Sequence, residues 1–548
     1  MAKRDNLTDK IWNDCSHLPP VLSLAKIFLF LYLMAQGNCH LLSSNINLEL
    51  LATHTASKME LYLSKYIGNM KEKKPLLQRY MNDYALIMQE SNRDGTDWYL
   101  SNPVNEYFLV KRMSDGNRIL RELIFSNSSR LIHSDLIDEN GSFLTNLPTS
   151  DDVSEAAIGL VRLQTTFELA TQDLAEGKLL VLSIGLNSTS RHRMAAGDCS
   201  ELGRQAYLIG EDETAMGWMQ ESLVRYKQEA DNEKSVGIED ILKYYAFSSL
   251  NQGHNATASQ LTRQLIQLLP GGQSELQTIF KLESELRAST IANTGHAFHD
   301  RDYKALCRGE TVMKPIPDSP LHCSYSGAKE LSAFMALQPI KREQISLNPP
   351  VTVFYDVISD DEIDILKSIA KPKLQAGLNV NSVTGEMSLS QRCVLLNVTI
   401  RDEDHKIVKK LSRRMENISG LKLTRGSFNI YQYGVGGHFI PHWDYNSMIN
   451  ETLLNVHRDN QVASWIFYLS EVEVGGATVF TEIKTAIQPV KGSAAFWYNI
   501  LPNGQGDPQT RHSSCPVLVG SKLILGKGFG YKAQMFRRPC RLNFDAKV

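Results

Sequence analysis

Between Gly434 and Lys522 the chain is a succession of short apolar runs, GVGGHFIP, SWIFYLS, ATVF, SAAFWYN and PVLV, cut by turns such as VGG. β-Branched and aromatic residues in runs this short build strands, and strands in such close succession suit the walls of a small barrel. The few ionisable groups inside this stretch then become informative. Side chains on a strand alternate between faces, so His442 and Asp444 in PHWDY share one face and can grip one ion. His512 follows 68 residues after Asp444, the distance a small barrel needs to return a late strand beside an earlier one. Two imidazoles and one carboxylate leave coordination positions open. That arrangement belongs to non-haem Fe(II) oxygenases rather than to closed structural zinc, and it admits O2 and a co-substrate.

A bare His-x-Asp triplet decides little, because 14 histidines should produce about one by chance. This chain has three. His133/Asp135 lies in a polar helical region and His457/Asp459 follows the loop NETLLNVHRDN, whereas His442/Asp444 follows the Gly-punctuated apolar run FNIYQYGVGG. Context selects the last of these, with His438 as a bystander. Lys522 comes ten residues after His512, beyond a CP turn and the strand VLV. An ammonium that deep needs an anion, and a dicarboxylate would supply one.

The segments GGHFIPHWDY, ASWIFYLSEVEVGGATVF, GSAAFWYN, TRHSSCPVLVGSK and FRRPC resemble the catalytic domain of collagen prolyl 4-hydroxylase α subunits, and the resemblance extends upstream through nearly the whole chain. It implies a multidomain α plus β protein: N-terminal helical domains, one of them a tetratricopeptide-like peptide-binding domain, and a C-terminal double-stranded β-helix (jelly roll). It makes His442, Asp444 and His512 the iron ligands and Lys522 the partner of the distal carboxylate of 2-oxoglutarate, with Tyr433 and Thr478 lining the same pocket. It pairs Cys307 with Cys323 and Cys515 with Cys540. The implied reaction is C4 hydroxylation of proline in X-Pro-Gly sequences of procollagen, yielding succinate and CO2, with L-ascorbate as the reductant that rescues over-oxidised iron. Departures from the family's usual residues are Trp443 for Phe, Thr481 for Pro, and Leu523 for the Trp that follows the lysine.

Taken in order, 548 residues with 42% apolar content, 22% charge and a net charge of −2 describe a soluble multidomain protein with no basic surplus for nucleic acid. Ile27 to Ala35 (IFLFLYLMA) is too short to span a membrane comfortably. With small and polar residues after it, the run reads as a secretory h-region cleaved near Gly37. Sequons at Asn6, Asn127, Asn140, Asn187, Asn255, Asn397, Asn417 and Asn450 agree with that route and with a glycoprotein. Cys199 and Cys393 read as buried thiols. The expected divisions are 1–37 signal peptide, 38–150 helical dimerisation region, 151–275 tetratricopeptide-like domain, 276–345 connector with a disulfide, and 346–548 dioxygenase domain.

Within 151–275, Gly253, Ala258 and Pro270 match positions of a tetratricopeptide-like repeat. Tyr207, Tyr244, Tyr245 and Phe247 are candidates to line a groove for proline rings of an extended peptide. Tyr207 and Tyr244 match aromatic positions of the family's peptide-binding domain, but Asp212 and Glu213 stand where the family has tyrosines. In the dioxygenase domain VTVFYDVIS reads as a strand, SDDEIDILKSIAKPKL as a helix capped by Ser359, and Lys406 to Arg414 as another helix outside the barrel.

Three other readings compete. A related oxygenase of lysine or of a non-collagen peptide differs in substrate, and a catalytically silent collagen-binding subunit would need a lost ligand. A zinc hydrolase lacks a Glu placed as general base. The C-terminal RLNFDAKV is not a KDEL-type signal. Retention in the endoplasmic reticulum lumen is therefore expected through the family's partner, a protein disulfide isomerase β subunit, in an α2β2 tetramer.

Overall fold

The structure, a computed structural model, describes residues 102–125, 149–181, 185–190, 192–231, 234–294, 300–310, 323–326, 338–380, 387–389, 393–423, 427–445 and 460–537. The chain divides into two compact units, Met1–Ala156 and Ala157–Val548. The described part of the first contains helix α1, Pro103–Phe125. The leader-like run and most of the expected dimerisation region lie outside the described residues, as do His133/Asp135 and His457/Asp459. Helix α2, Ser150–Phe167, leads into the second unit. No described helix is long and apolar enough to cross a membrane.

The second unit opens with α3 (Ala196–Leu208), α4 (Asp212–Gln228), α5 (Ile238–Asn251) and α6 (Asn255–Leu268), packed as hairpins. Gly203 explains how closely the first pair meets, since a Cβ there would stand 2.6 Å from the Met219 terminal methyl. Between α5 and α6 the chain turns at Gly253 with φ +77°, a left-handed conformation that glycine adopts without cost. Two features escaped the periodicity argument. A two-stranded ribbon, Lys178–Val181 with Leu186–Thr189, precedes α3. The region 276–345 is also no mere connector: α7 (Gly272–Thr294) packs on α3 and α6, α8 spans Arg301–Cys307, and strands Cys323–Ser326 and Ile340–Leu347 join the main sheet.

The C-terminal part pairs a nine-stranded sheet with a five-stranded one, the two-sheet arrangement of a jelly roll. In the larger sheet, Gln461–Tyr468 lies between Ala494–Tyr498 and Lys522–Gly530. Its residues alternate: Ala463, Trp465 and Phe467 pack outward, whereas Tyr468 joins Tyr433, Phe480 and Trp497 between the sheets. Both faces are buried, so SWIFY reads as continuously apolar rather than alternating. The outer layer is α9 (Asp360–Ala370) and α10 (Lys406–Ser419), which bring Ile363, Leu366, Val408, Leu411 and Met415 onto Trp465 and Phe467. Ser359 caps α9 as expected, its hydroxyl accepting from the Glu362 amide while the Glu362 carboxylate accepts from the Ser359 amide. Arg414 of α10 donates to both Glu362 oxygens and to the Val357 carbonyl, tying the two helices together.

The cysteines pair differently from expectation. Cys307 is bonded to Cys515, 208 residues away, while Cys323 is free and exposed and Cys540 lies outside the described residues. The reason is tertiary. α8 packs against the strand Thr478–Phe480, and Tyr303, Leu306 and Cys307 share one buried cluster with Ala477, Val479 and Cys515. The pairing implied by the resemblance joins cysteines near in sequence, whereas this one joins segments that meet only in the fold. Cys199, by contrast, is the buried free thiol expected. Because the bridge closes so long a loop, Cys307→Ser is expected to lower stability by about 2–5 kcal/mol in denaturant titration. Non-reducing peptide mapping should recover a Cys307–Cys515 peptide; recovery of Cys307 joined to Cys323 would refute this connectivity.

Candidate metal and co-substrate site

The strand His438–His442 begins after a tight turn in which Gly436 has φ +73° and a Cβ on Gly437 would stand 2.8 Å from the Gly434 carbonyl oxygen. It pairs antiparallel with His512–Ser514. Phe439 faces Ser514 and His442 faces His512, so three steps on one strand match two on the other. This is a bulge, and Pro441, which has no N–H to give the ladder, sits inside it. The extra residue brings the two histidines opposite each other, with ring centroids 4.5 Å apart. Asp444 is not on the strand, as the alternation argument had it; the strand ends at His442 and Asp444 follows in the next bend. Its carboxylate still reaches the same point, Oδ1 lying 3.6 Å from His442 Nε2 and Oδ2 3.6 Å from His512 Nε2.

Among the described residues His442, Asp444 and His512 are the group able to hold a metal, their candidate ligand atoms all within 4.8 Å of one another. The tautomers fit this use. His442 Nδ1 lies 2.8 Å from the Ile440 carbonyl and His512 Nδ1 3.0 Å from the Thr510 carbonyl. A carbonyl only accepts, so both Nδ1 atoms donate and both Nε2 lone pairs face the site. Burial pushes the Asp444 carboxyl upward, but the His512 and His442 imidazoles and the Ser464 hydroxyl outweigh it, holding the group well below the usual carboxylate range. Burial drives His512 down to about 4, against the pull of Asp444, so it stands neutral and ready to ligate. Phe439 stacks on His442, and Trp497 and Phe480 pack on His512. The site opens on one side, where His442 and Asp444 keep about a quarter of their side-chain surface exposed and His512 only 5%.

Lys522 begins the strand beside Tyr433 and is wholly buried. Its Nζ lies 3.0 Å from Ser514 Oγ and 3.3 Å from Thr478 Oγ1, with the rings of Tyr433 and Tyr468 5.5 and 5.8 Å away. Tyr468 in turn donates to Thr478 at 2.9 Å. Burial alone lowers the ammonium to about 7. A cation surrounded by hydroxyls and ring faces is a receptor for a carboxylate. Ser514 and Tyr468 escaped the sequence reading. Ser514 was within reach of it, since it shares a strand face with His512.

The peptide-site candidates fare differently. Tyr207 and Tyr244 do meet, with centroids 5.5 Å apart, but only 2% and 3% of their surfaces are exposed. The long helix α7, unforeseen from sequence, lies over them. Arg287 stacks over Tyr207 at 4.6 Å, Glu283 accepts from the Tyr244 hydroxyl at 2.9 Å, and Phe280 packs edge-on against Phe247. As placed, neither ring offers an open face to a peptide. Asp212 anchors this cover, accepting two 2.6 Å bonds from Arg287.

Comparison with known proteins agrees with this architecture. Residues 50–180 match the N-terminal region of the prolyl 4-hydroxylase α subunit, residues 196–286 the prolyl 4-hydroxylase peptide-substrate-binding domain, and residues 428–528 the 2OG-Fe(II) oxygenase superfamily. Prolyl 4-hydroxylase subunit alpha-1 of Caenorhabditis elegans is 32% identical over 504 residues, 88% of this chain and 87% of the relative. The alpha-1 subunit of Homo sapiens is 30% identical over 514 residues, 89% and 93% of the two chains. Among solved structures, a viral collagen prolyl hydroxylase from Paramecium Bursaria Chlorella virus-1 aligns with 32% of this chain and 94% of its own at 20% identity, with a TM-score of 0.27. With paired histidines, a carboxylate and a buried lysine in its oxygenase part, and with similarity spanning most of its length, this chain belongs to the prolyl 4-hydroxylase α-subunit family.

Proposed function

We propose that this chain is a procollagen-proline 4-dioxygenase, hydroxylating proline in X-Pro-Gly sequences with O2 and 2-oxoglutarate to give 4-hydroxyproline, succinate and CO2. One observation carries the reading furthest: a buried lysine with no carboxylate partner among the described residues reaches from the larger sheet to Ser514 of the smaller one, two residues from the His512 of the three-ligand cluster. Such a site can take a molecule that chelates at one end and carries a carboxylate at the other.

His442 and His512 would hold Fe(II) through Nε2 and Asp444 through its carboxylate, which offsets part of the ion's charge. The iron, when bound, supplies activation of O2. Lys522, Thr478 and Ser514 bind and orient the distal carboxylate of 2-oxoglutarate, while Tyr433 and Tyr468 wall it from water. One oxygen atom goes to proline and one to succinate, so the two electrons lost in decarboxylation and the two lost by the C–H bond balance O2 reduction.

The same reading extends to an L-ascorbate requirement, a glycosylated chain in the endoplasmic reticulum lumen and an α2β2 assembly with a protein disulfide isomerase. Its support is the family, the leader-like run Ile27 to Ala35 and the sequons. Binding of proline-rich peptide belongs to the helical part of the second unit, with α7 displaced or the peptide seated elsewhere than on Tyr207 and Tyr244.

His442→Ala, Asp444→Ala and His512→Ala are each expected to abolish peptide-dependent 2-oxoglutarate decarboxylation, while His457→Ala changes it little; turnover surviving His512→Ala would exclude the triad. Lys522→Ala should raise the Michaelis constant for 2-oxoglutarate by an amount on the order of 1.5–3 kcal/mol, the loss of a charge-assisted bond. The pH dependence has a definite sign. With the free-site ammonium at about 7, the lysine is mostly neutral at pH 8 and must regain its proton to meet a carboxylate. Affinity for 2-oxoglutarate should fall as pH rises above about 7. Anaerobic calorimetry in buffers of different ionisation enthalpy should show uptake approaching one proton at pH 8, absent in Lys522→Ala. Co-expression with the isomerase should give a soluble mixed complex by size exclusion with light scattering; a soluble, active species of this chain alone, indifferent to the isomerase, would exclude the partner.

A further inference from the structure

Asp444 is held from behind by a polar chain that the ligand set does not require. Its Oδ2 accepts from the Ser464 hydroxyl and, at 3.1 Å, from Gln461 Nε2. Ser464 Oγ lies in turn 2.7 Å from Gln461 Nε2 and 2.8 Å from Asn499 Nδ2. The direction of every bond is dictated by donor supply. A carboxylate can only accept and a serine has one proton, so Ser464 gives that proton to Asp444 and accepts from both amides. The chain is also built into the sheet. Ser464 is 3% exposed and Asn499 fully buried, and strand alternation turns Ser464 inward while Ala463 and Trp465 face the helices. Two donors reach Oδ2, which also faces His512 Nε2 at 3.6 Å, while Oδ1 faces His442 Nε2 at 3.6 Å.

We propose that Asn499, Ser464 and Gln461 are positioning residues that hold the Asp444 carboxylate between the two imidazoles, oriented to serve as a metal ligand. Freed from these donors, the carboxylate can rotate and no longer presents its oxygens to the point that both Nε2 atoms face. This inference rests on the metal-site reading above.

The test uses the full-length chain loaded with Co(II), a spectroscopic stand-in for Fe(II), titrated by visible absorption with and without 2-oxoglutarate. Ser464→Ala and Asn499→Ala are each expected to weaken Co(II) binding, Ser464→Ala by on the order of 10- to 100-fold, and to change the ligand-field bands of the 2-oxoglutarate complex. The double variant should be no worse than Ser464→Ala alone, because Asn499 acts through the serine. Ser464→Thr, which keeps the hydroxyl, should restore the bands. With Fe(II), succinate formed per hydroxyproline should rise in Ser464→Ala. Should Ser464→Ala fail to fold by circular dichroism, Gln461→Ala probes the same oxygen from the half-buried side. Wild-type affinity and bands in the variants, or strictly additive losses, would overturn the relay while leaving the triad intact. Failure of the wild-type chain to bind Co(II) at all would overturn the metal site and the relay with it.

Discussion

The antiparallel pairing of His438–His442 with His512–Ser514 is the constraint on which the site depends. The strand His512–Ser514 is central in its sheet, flanked on the other side by Thr478–Phe480, so His512 and Ser514 cannot shift without disrupting two ladders. The bulge around Pro441 sets His442 opposite His512, and the chain leaving that strand delivers Asp444. One register therefore positions two imidazoles, a carboxylate and the serine that meets Lys522. A slip by one residue would turn the strand-borne side chains of either partner to the other face.

Burial does the electrostatic work around that register. Lys522 is kept by hydroxyls and ring faces in a place where its charge is costly, and His512 is kept neutral by the aromatic wall of Trp497 and Phe480. Asp444 goes the other way, because its neighbours supply more stabilisation to the carboxylate than burial removes. Asp444 and His512 thus stand in the protonation states suited to metal binding, while Lys522 is poised to take up a proton as an anion arrives. Hydrophobic packing sets this up: the sheet holding Ser464 and Tyr468 is rigid because Trp465 and Phe467 are clasped by α9 and α10 on its outer face.

The helical half shows how one long helix changes the meaning of a motif. Tyr207, Tyr244 and Phe247 form an aromatic cluster, but α7 covers it and adds Arg287, Glu283 and Phe280 as partners. Asp212 is the carboxylate that secures this cover. The same chemistry that would bind proline rings is here satisfied internally.

Much of the oxygenase part was legible in the sequence because strand composition and turn glycines are local properties. The SWIFY, TVF and AAFWY runs, the Ser359 cap and the helix at Lys406 all arise from nearest neighbours along the chain. His442, Asp444, His512 and Lys522 stood out as ionisable groups in apolar surroundings, and the family resemblance attached roles to them. Tertiary structure alone decided the rest. The bulge that aims His442 depends on a partner strand some seventy residues away, and the donors on Asp444 come from Ser464, Gln461 and Asn499, residue types too common to signal anything by spacing. Cys307 meets Cys515 because α8 packs on a strand far along the chain. Tyr207 and Tyr244 are interior because α7 folds over them. Local patterns determine which segments are strands and helices, but which polar atoms meet is settled only when distant segments compete for the same buried space.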